Sequence, residues 1–281
     1  MKSFPARKLY KVDDVDKGMT RHIKILASLL MVAILAFSFQ GAQADDADID
    51  DLKFLQKNWM PKLLLAIDAG PVLLTKDVTF EVAEPPKNSS DETKKEIEYL
   101  HEIARTERTP ENIERIKFED TGVRAHDMFV KEGLINSDNY KTLMLLEMID
   151  NDHMYFILER KQHFSRPRPS EVDPTLKTVI LNPPHPAYPS GHAGQTYINA
   201  LVLAEFDPEN ADVYKQFAID VAHRREIAGV HYPSDSKAGR KLAEDVLAVL
   251  RAIPVFEKKF QDAKLSYIKP DLSGDGVKET K

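Results

Sequence analysis
No stretch of this 281-residue chain keeps apolar and polar residues alternating with the period of two that a half-buried strand needs. Where apolar residues recur, they do so at helical spacing. Leu52, Phe54, Leu55, Trp59, Leu63 and Leu64 fit an amphipathic helix over Asp51–Ile67. Pro85-Pro86 breaks the chain, and Asn88-Ser89-Ser90-Asp91 offers a cap for a helix over Thr93–Ala104 with Ile97, Leu100 and Ile103 on one face. Further helices are predicted over Ile113–Lys117, Gly122–Glu132 and Ser137–Lys161. The last is apolar on more than one side and therefore central and buried. A proline-rich connection, Pro167–Pro189, leads to helices over His192–Glu205, Ala211–Ala228 and Lys237–Ala252, and residues 269–281 read as a loose tail. The expectation is an all-α, single-domain helical bundle over residues 45–268.

The chain has no cysteine, so neither disulfides nor thiolate chemistry can contribute, and stability rests on the core. Hydrophobic residues at 42% and charged residues at 30% are ordinary for a folded domain, and a formal net charge of −6 argues against general nucleic-acid binding. Near the N-terminus, Arg21 and Lys24 precede an apolar run from Ile25 to Phe39, followed by Ala42-Gln43-Ala44. That order is the one a secretion signal needs, so residues 1–44 are expected to be a cleaved leader and the mature protein to be periplasmic or secreted, with no stable membrane insertion. The acidic Asp13, Asp14 and Asp16 do not suit a leader, which places its natural start at Met19. An uncleaved anchor is the alternative.

Three short segments concentrate polar chemistry. Lys161-Gln-His-Phe-Ser-Arg-Pro-Arg168-Pro169 gathers cations at the end of a helix, where they suit the helix dipole. The adjacent prolines would also hold them in fixed positions. Tyr188-Pro-Ser190-Gly191-His192-Ala-Gly194 opens a helix, and the unpaired N–H groups of such a start form an anion site. Arg224-Arg225-Glu-Ile-Ala-Gly-Val-His231-Tyr-Pro-Ser-Asp235 places a histidine and a carboxylate on the turn into the next helix. A carboxylate there either simply caps the histidine or fixes its tautomer and leaves the other nitrogen free to attack.

Taken in order, Lys-x6-Arg-Pro, Pro-Ser-Gly-His and Arg-x5-His-x3-Asp resemble the signature of the phosphatidic-acid-phosphatase type 2 superfamily, which holds class A acid phosphatases, lipid phosphate phosphatases and vanadium haloperoxidases. The stretch from about Tyr188 to Tyr267 looks most like the class A acid phosphatases. The resemblance implies a haloperoxidase-like helical fold with its site at helix ends, and a phosphomonoesterase that works through a phosphohistidine without metal or other cofactor. It further implies that Lys161, Arg168 and Arg225 grip the phosphoryl oxygens and that Ser190 with the Gly191 backbone completes the cradle. His231 is the nucleophile oriented by Asp235, and protonated His192 is the acid. Small phosphorylated substrates and self-association come with the same likeness.

One departure stands out: Arg224 occupies the place where the family carries serine. The proline run near the mature N-terminus is also reduced to Pro85-Pro86. His163 and His185 are expected at the rim or in structural roles, and Asp127 at the surface. The alternatives are a vanadate-dependent haloperoxidase, a phosphatase for lipid-linked phosphate, and a non-catalytic periplasmic phosphate-binding protein.

Overall fold
Proline sets where many of the helices begin. It stands in the first turn of α1 (Pro61–Ala69), α3 (Pro110–Glu119), α6 (Pro169–Val172), α9 (Pro233–Arg251) and α10 (Pro254–Leu265). The ring fixes φ near its helical value, and the missing N–H would have had no partner there. The remaining helices are α2 (Asp91–Thr106), α4 (Ala125–Lys131), α5 (Tyr140–Phe164), α7 (Gly191–Phe206) and α8 (Ala211–Ile227). Ser90, Thr109 and Ser190 cap α2, α3 and α7 through their hydroxyls. The computed structural model describes residues 48–272, so the leader expected at 1–44 lies outside the described residues. Among them there is no strand, and no helix is long and apolar enough to cross a membrane.

α5 is central, as its all-round apolarity requires. It buries Leu145, Leu146, Ile149, Phe156 and Ile157 in one cluster with Ile198, Val202 and Leu203 of α7, Leu242, Val246 and Leu250 of α9, and Phe256 and Phe260 of α10. α7 packs against α5, α8 and α9. Asp152 of α5 is fully buried and accepts the backbone N–H groups of Val72, Leu73 and Leu74, which clamps the segment after α1 onto the bundle.

Several boundaries differ from the sequence reading. The continuous helix expected over Asp51–Ile67 is two 3-10 turns, Ile49–Asp51 and Gln56–Asn58, followed by α1. Pro61 cannot sit inside a helix and holds Met60 extended. The apolar spacing instead reports docking, because Phe54 and Trp59 are buried against Leu158 of α5. The backbone N–H groups of Phe54 and Met60 are tied to the carbonyls of Ser165 and Pro184. α9 begins at Pro233 rather than Lys237, which puts Asp235 inside its first turn. α10 was not anticipated. At the start of the expected tail, Lys269 lies 2.9 Å from both Asp207 and Glu209, and residues 273–281 lie outside the described residues.

The crossing of α7 and α9 is the tightest feature near the second motif. A Cβ on Gly239 would stand 2.3 Å from the Ser190 carbonyl oxygen, and one on Gly194 would stand 2.8 Å from the Gly239 carbonyl oxygen. Backbone therefore meets backbone where the second motif opens its helix. Gly239→Ala must push Ser190 away, and is expected to cost about 1–3 kcal/mol in a urea melt. A melt unchanged from wild type would contradict this crossing.

His153 of α5 fills the same notch, and the Gly194 Cβ would fall 2.3 Å from its ring. It is fully buried, neither ring nitrogen meets a partner in good hydrogen-bond geometry, and burial lowers its pKa to about 3, with only the Gly239 backbone opposing the shift. Its folded pKa therefore lies below the unfolded value of 6.5, and the unfolded chain takes up the proton first as pH falls. The neutral ring is tolerated above pH 6.5 and destabilises progressively between 6.5 and about 3. Relative to His153→Leu, the wild type is expected to lose about 2–3 kcal/mol more stability between pH 7 and pH 4.5. Parallel pH profiles for the two proteins would contradict a buried neutral histidine.

Candidate active site
The end of α8 and the start of α9 meet across a turn made possible by Gly229, whose φ of 77° favours glycine. That turn lays His231 beside Asp235. His231 Nδ1 is 2.9 Å from Asp235 Oδ2, and both residues are buried. The carboxylate accepts from Nδ1–H, so the lone pair stands on Nε2. Arg168 Nη1 donates to that Nε2 at 3.0 Å.

Asp235 is itself held. Its Oδ2 also accepts the Tyr232 N–H at 3.0 Å, and its Oδ1 accepts from Arg166 Nη1 at 2.7 Å. The same guanidinium reaches Glu96 Oε2 at 3.1 Å and stacks 3.8 Å from the Tyr232 ring centre. Glu96 in turn accepts the Ser234 N–H at 2.6 Å. Burial raises the Glu96 carboxyl, and Arg166 opposes that rise. Arg166 and Glu96 were absent from the sequence reading as site residues. Arg166 could have been noticed between Lys161 and Arg168, whereas Glu96 carries no local signal.

Three buried cations surround His231. Lys161, at the end of α5, donates to the carbonyls of Pro186 and Ala187 at 2.6 and 2.8 Å. Arg168 donates to the Val230 carbonyl at 2.6 Å and to the His185 carbonyl at 2.9 Å. Arg225 is fully buried, and only its Nη2 is paired, to Asp120 at 3.2 Å; Nε and Nη1 have no partner. Burial lowers the Lys161 ammonium well below its ordinary pKa and brings Arg168 down to about 9, with the neighbouring cations adding to both effects. Buried guanidinium N–H groups without acceptors are costly, and such a cluster is built to receive an anion.

Ser190 caps α7 and is fully buried, and its backbone N–H donates to the Asp235 carbonyl at 2.9 Å. Gly191 follows it. A Cβ there would meet nothing closer than 3.8 Å, so packing does not demand this glycine. His192 stands one residue further, partly exposed, with Nε2 3.1 Å from the Glu119 carbonyl oxygen. Burial and then Arg225 lower its pKa to about 3. Burial followed by Arg168 and Lys161 also pushes the His231 ring well below its ordinary value.

The C-terminus of α3 organises this side of the site. Glu119 holds His192 through its carbonyl and Arg224 through its side chain, at 2.7 Å, while Asp120 holds Arg225. Arg224 thus does not face the cations; it forms a buried pair with α3. His185 touches Arg168 through its carbonyl and its ring, His163 is exposed, and Asp127 pairs at the surface with Arg124 at 3.0 Å.

No family model matches the chain. It is 39% identical over 83 residues to a non-specific acid phosphatase of Providencia stuartii, covering 30% of this chain and 34% of that protein. To the non-specific acid phosphatase of Salmonella typhimurium it is 31% identical over 121 residues, covering 41% and 48%. The matched stretches therefore span between a third and a half of each curated relative. A bacterial vanadium-dependent iodoperoxidase of solved structure superposes with a TM-score of 0.53 at 20% identity, covering 72% of this chain and 56% of that one, a likeness of fold. The ordered motif blocks and the acid-phosphatase relatives together support a likeness to the phosphatidic-acid-phosphatase type 2 superfamily, and the all-helical fold agrees with it.

Proposed function
We propose that this protein is an exported phosphomonoesterase that transfers a phosphoryl group to His231 and then to water without a metal. The observation that carries the reading is the pairing of a tautomer-fixed histidine with a buried cationic cluster whose Arg225 N–H groups lack acceptors. A phosphate-binding protein needs the cations but not a nucleophile oriented by a carboxylate.

Phosphoryl transfer asks mainly for alignment and for positive charge around the three equatorial oxygens. Arg225, Arg168 and Lys161 supply that charge, with the Ser190 and Gly191 segment closing the cradle. His231 Nε2 attacks phosphorus as the ester P–O bond breaks, and the leaving oxygen takes the electron pair and a proton from His192. In the second step His192 removes a proton from water, whose oxygen displaces His231 from phosphorus. Among cations alone His192 is neutral. The negative charge of a bound phosphoryl group reverses that balance and lets it carry the proton it must give.

Purified protein is expected to hydrolyse p-nitrophenyl phosphate equally well with and without EDTA, and orthovanadate is expected to inhibit it. Loss of activity in EDTA would refute the metal-free reading. Peroxide-dependent halide oxidation after vanadate loading would favour a haloperoxidase instead.

A further inference from the structure
A guanidinium carries five N–H donors, and in Arg168 every one of them already faces an acceptor. Nη1 meets the Val230 carbonyl at 2.6 Å and His231 Nε2 at 3.0 Å. Nη2 meets the His185 carbonyl at 2.9 Å and His185 Nδ1 at 3.2 Å, and Nε meets that same carbonyl at 3.2 Å. Arg225, by contrast, keeps Nε and Nη1 unpaired. A phosphoryl group can therefore draw on Arg225 at once, but it must displace an acceptor to bond Arg168.

The carbonyls of Val230 and His185 belong to the backbone and stay in place. The two imidazole nitrogens can be displaced, and they are not equivalent. Nε2 of His231 holds the lone pair aimed at phosphorus, and a lone pair that is accepting an N–H cannot form the new bond. A phosphoryl group that displaced the His185 ring would leave the nucleophile capped.

His185 is placed to keep its share. Burial, then Lys161 and Arg168, hold its ring well below its ordinary pKa, so it is neutral and one nitrogen lacks a proton. Nδ1 also lies 3.2 Å from the Pro186 carbonyl, but that oxygen already accepts from Lys161 at 2.6 Å. A proton on Nδ1 would set two donors against each other, because Nη2–H points at it. Nδ1 therefore accepts from Arg168, and the ring proton sits on Nε2. The segment around this ring is tied down on both sides. The Pro184 carbonyl accepts the Met60 N–H at 2.9 Å, and the Ala187 N–H donates to the Arg166 carbonyl at 2.9 Å.

On the phosphoryl-transfer reading above, we infer that His185 is a positioning residue: it keeps Arg168 Nη2 occupied, so that the arriving phosphoryl group takes the Nη1 N–H from His231 and uncovers the nucleophile. Substrate binding and release of the Nε2 lone pair then become one event. Without the ring, the freed Nη2–H satisfies a phosphoryl oxygen first, and attack must break the Arg168–His231 bond with nothing in exchange.

The test measures single-turnover release of p-nitrophenol from its phosphate and, separately, the Kd of inorganic phosphate. In His185→Leu the single-turnover rate is expected to fall about 10–100-fold, while phosphate binds within about 3-fold of wild type or tighter. His185→Asn puts a carboxamide oxygen where Nδ1 stood and is expected to return the rate to within about 3-fold of wild type. Parallel losses of rate and of phosphate affinity would reduce the ring to packing and overturn the inference. An unchanged rate in His185→Leu, or no rescue by His185→Asn, would overturn it as well. Should His185→Leu fail to fold, nitrogen NMR of the wild-type imidazoles decides: a His185 ring protonated at Nε2 is expected, and one protonated at Nδ1 overturns the inference. A wild type that releases no p-nitrophenol removes the phosphatase reading itself, whereas the other contrary results, with an active wild type, remove only the role of His185.

Discussion

His231→Ala is expected to abolish turnover of p-nitrophenyl phosphate, with a loss of about 10⁴-fold or more in kcat/KM, and to yield no phosphoenzyme when a single turnover is quenched in alkali. The size follows from the site's construction. On the proposed mechanism the cluster of Arg168, Lys161 and Arg225 remains in the variant and is expected still to bind the phosphoryl group, but no nucleophile is left for phosphorus to bond. His192→Ala should behave differently. With an alkyl ester it is expected to slow the reaction by about 10²–10⁴-fold, because the leaving alkoxide then departs without a proton. With p-nitrophenyl phosphate, whose leaving group is stable as an anion, phosphoenzyme should still accumulate. Substantial activity in His231→Ala, or identical behaviour of the two variants towards both substrates, would contradict the assignment of nucleophile and acid.

Arg166→Met is expected to be the most destabilising single change near the site. Arg166 is 2% exposed and bonds two carboxylates that are themselves buried, Asp235 and Glu96. Removing the cation leaves both facing each other across the interior, and breaking a buried pair in this way costs about 3–5 kcal/mol. Against the 5–15 kcal/mol that holds a typical domain folded, that is enough to move a urea midpoint well outside error. Whatever protein folds should also lose activity, since Asp235 then has only the Tyr232 N–H and His231 to orient it. Arg166→Lys retains the charge but cannot bond Asp235 and Glu96 in a fork while lying on the Tyr232 ring, so it should fall between. An Arg166→Met protein as stable as wild type would mean that the two carboxylates are protonated or solvated.

Why the site's central groups could be read from sequence while its supports could not is a matter of range. His231 and Asp235 lie four residues apart, Ser190 and His192 open one helix, and Lys161 and Arg168 flank one helix end, so local spacing already implies proximity. Arg166 meets Glu96 across 70 residues, and Arg224 meets Glu119 across 105. Nothing local marks such partners, and a carboxylate on a polar helix reads as solvated. Gly194 and Gly239 each look like a weakening of a helix until the two helices are seen to cross there. The Asp51–Ile67 segment misled for another reason. Phe54, Trp59, Leu63 and Leu64 keep helical spacing because they cluster with Leu158 and Met154 of α5, while Pro61 rules out the continuous helix. α10 was legible from Pro254 and the spacing of Phe256, Phe260 and Ala263, although the sequence reading assigned no helix there.

The double grip of Glu119 also bears on how this chain can diverge. Its side chain neutralises Arg224, and its carbonyl receives His192. Serine at position 224 alone would remove the cation bonded to the buried Glu119 carboxylate, at the residue whose carbonyl oxygen lies 3.1 Å from His192. Removing Glu119 alone would strand a buried guanidinium. Each single change leaves a buried charge without its nearest partner, so the two positions are expected to tolerate substitution better together than alone. The residue that departs from the superfamily pattern is thus tied to a partner 105 positions upstream.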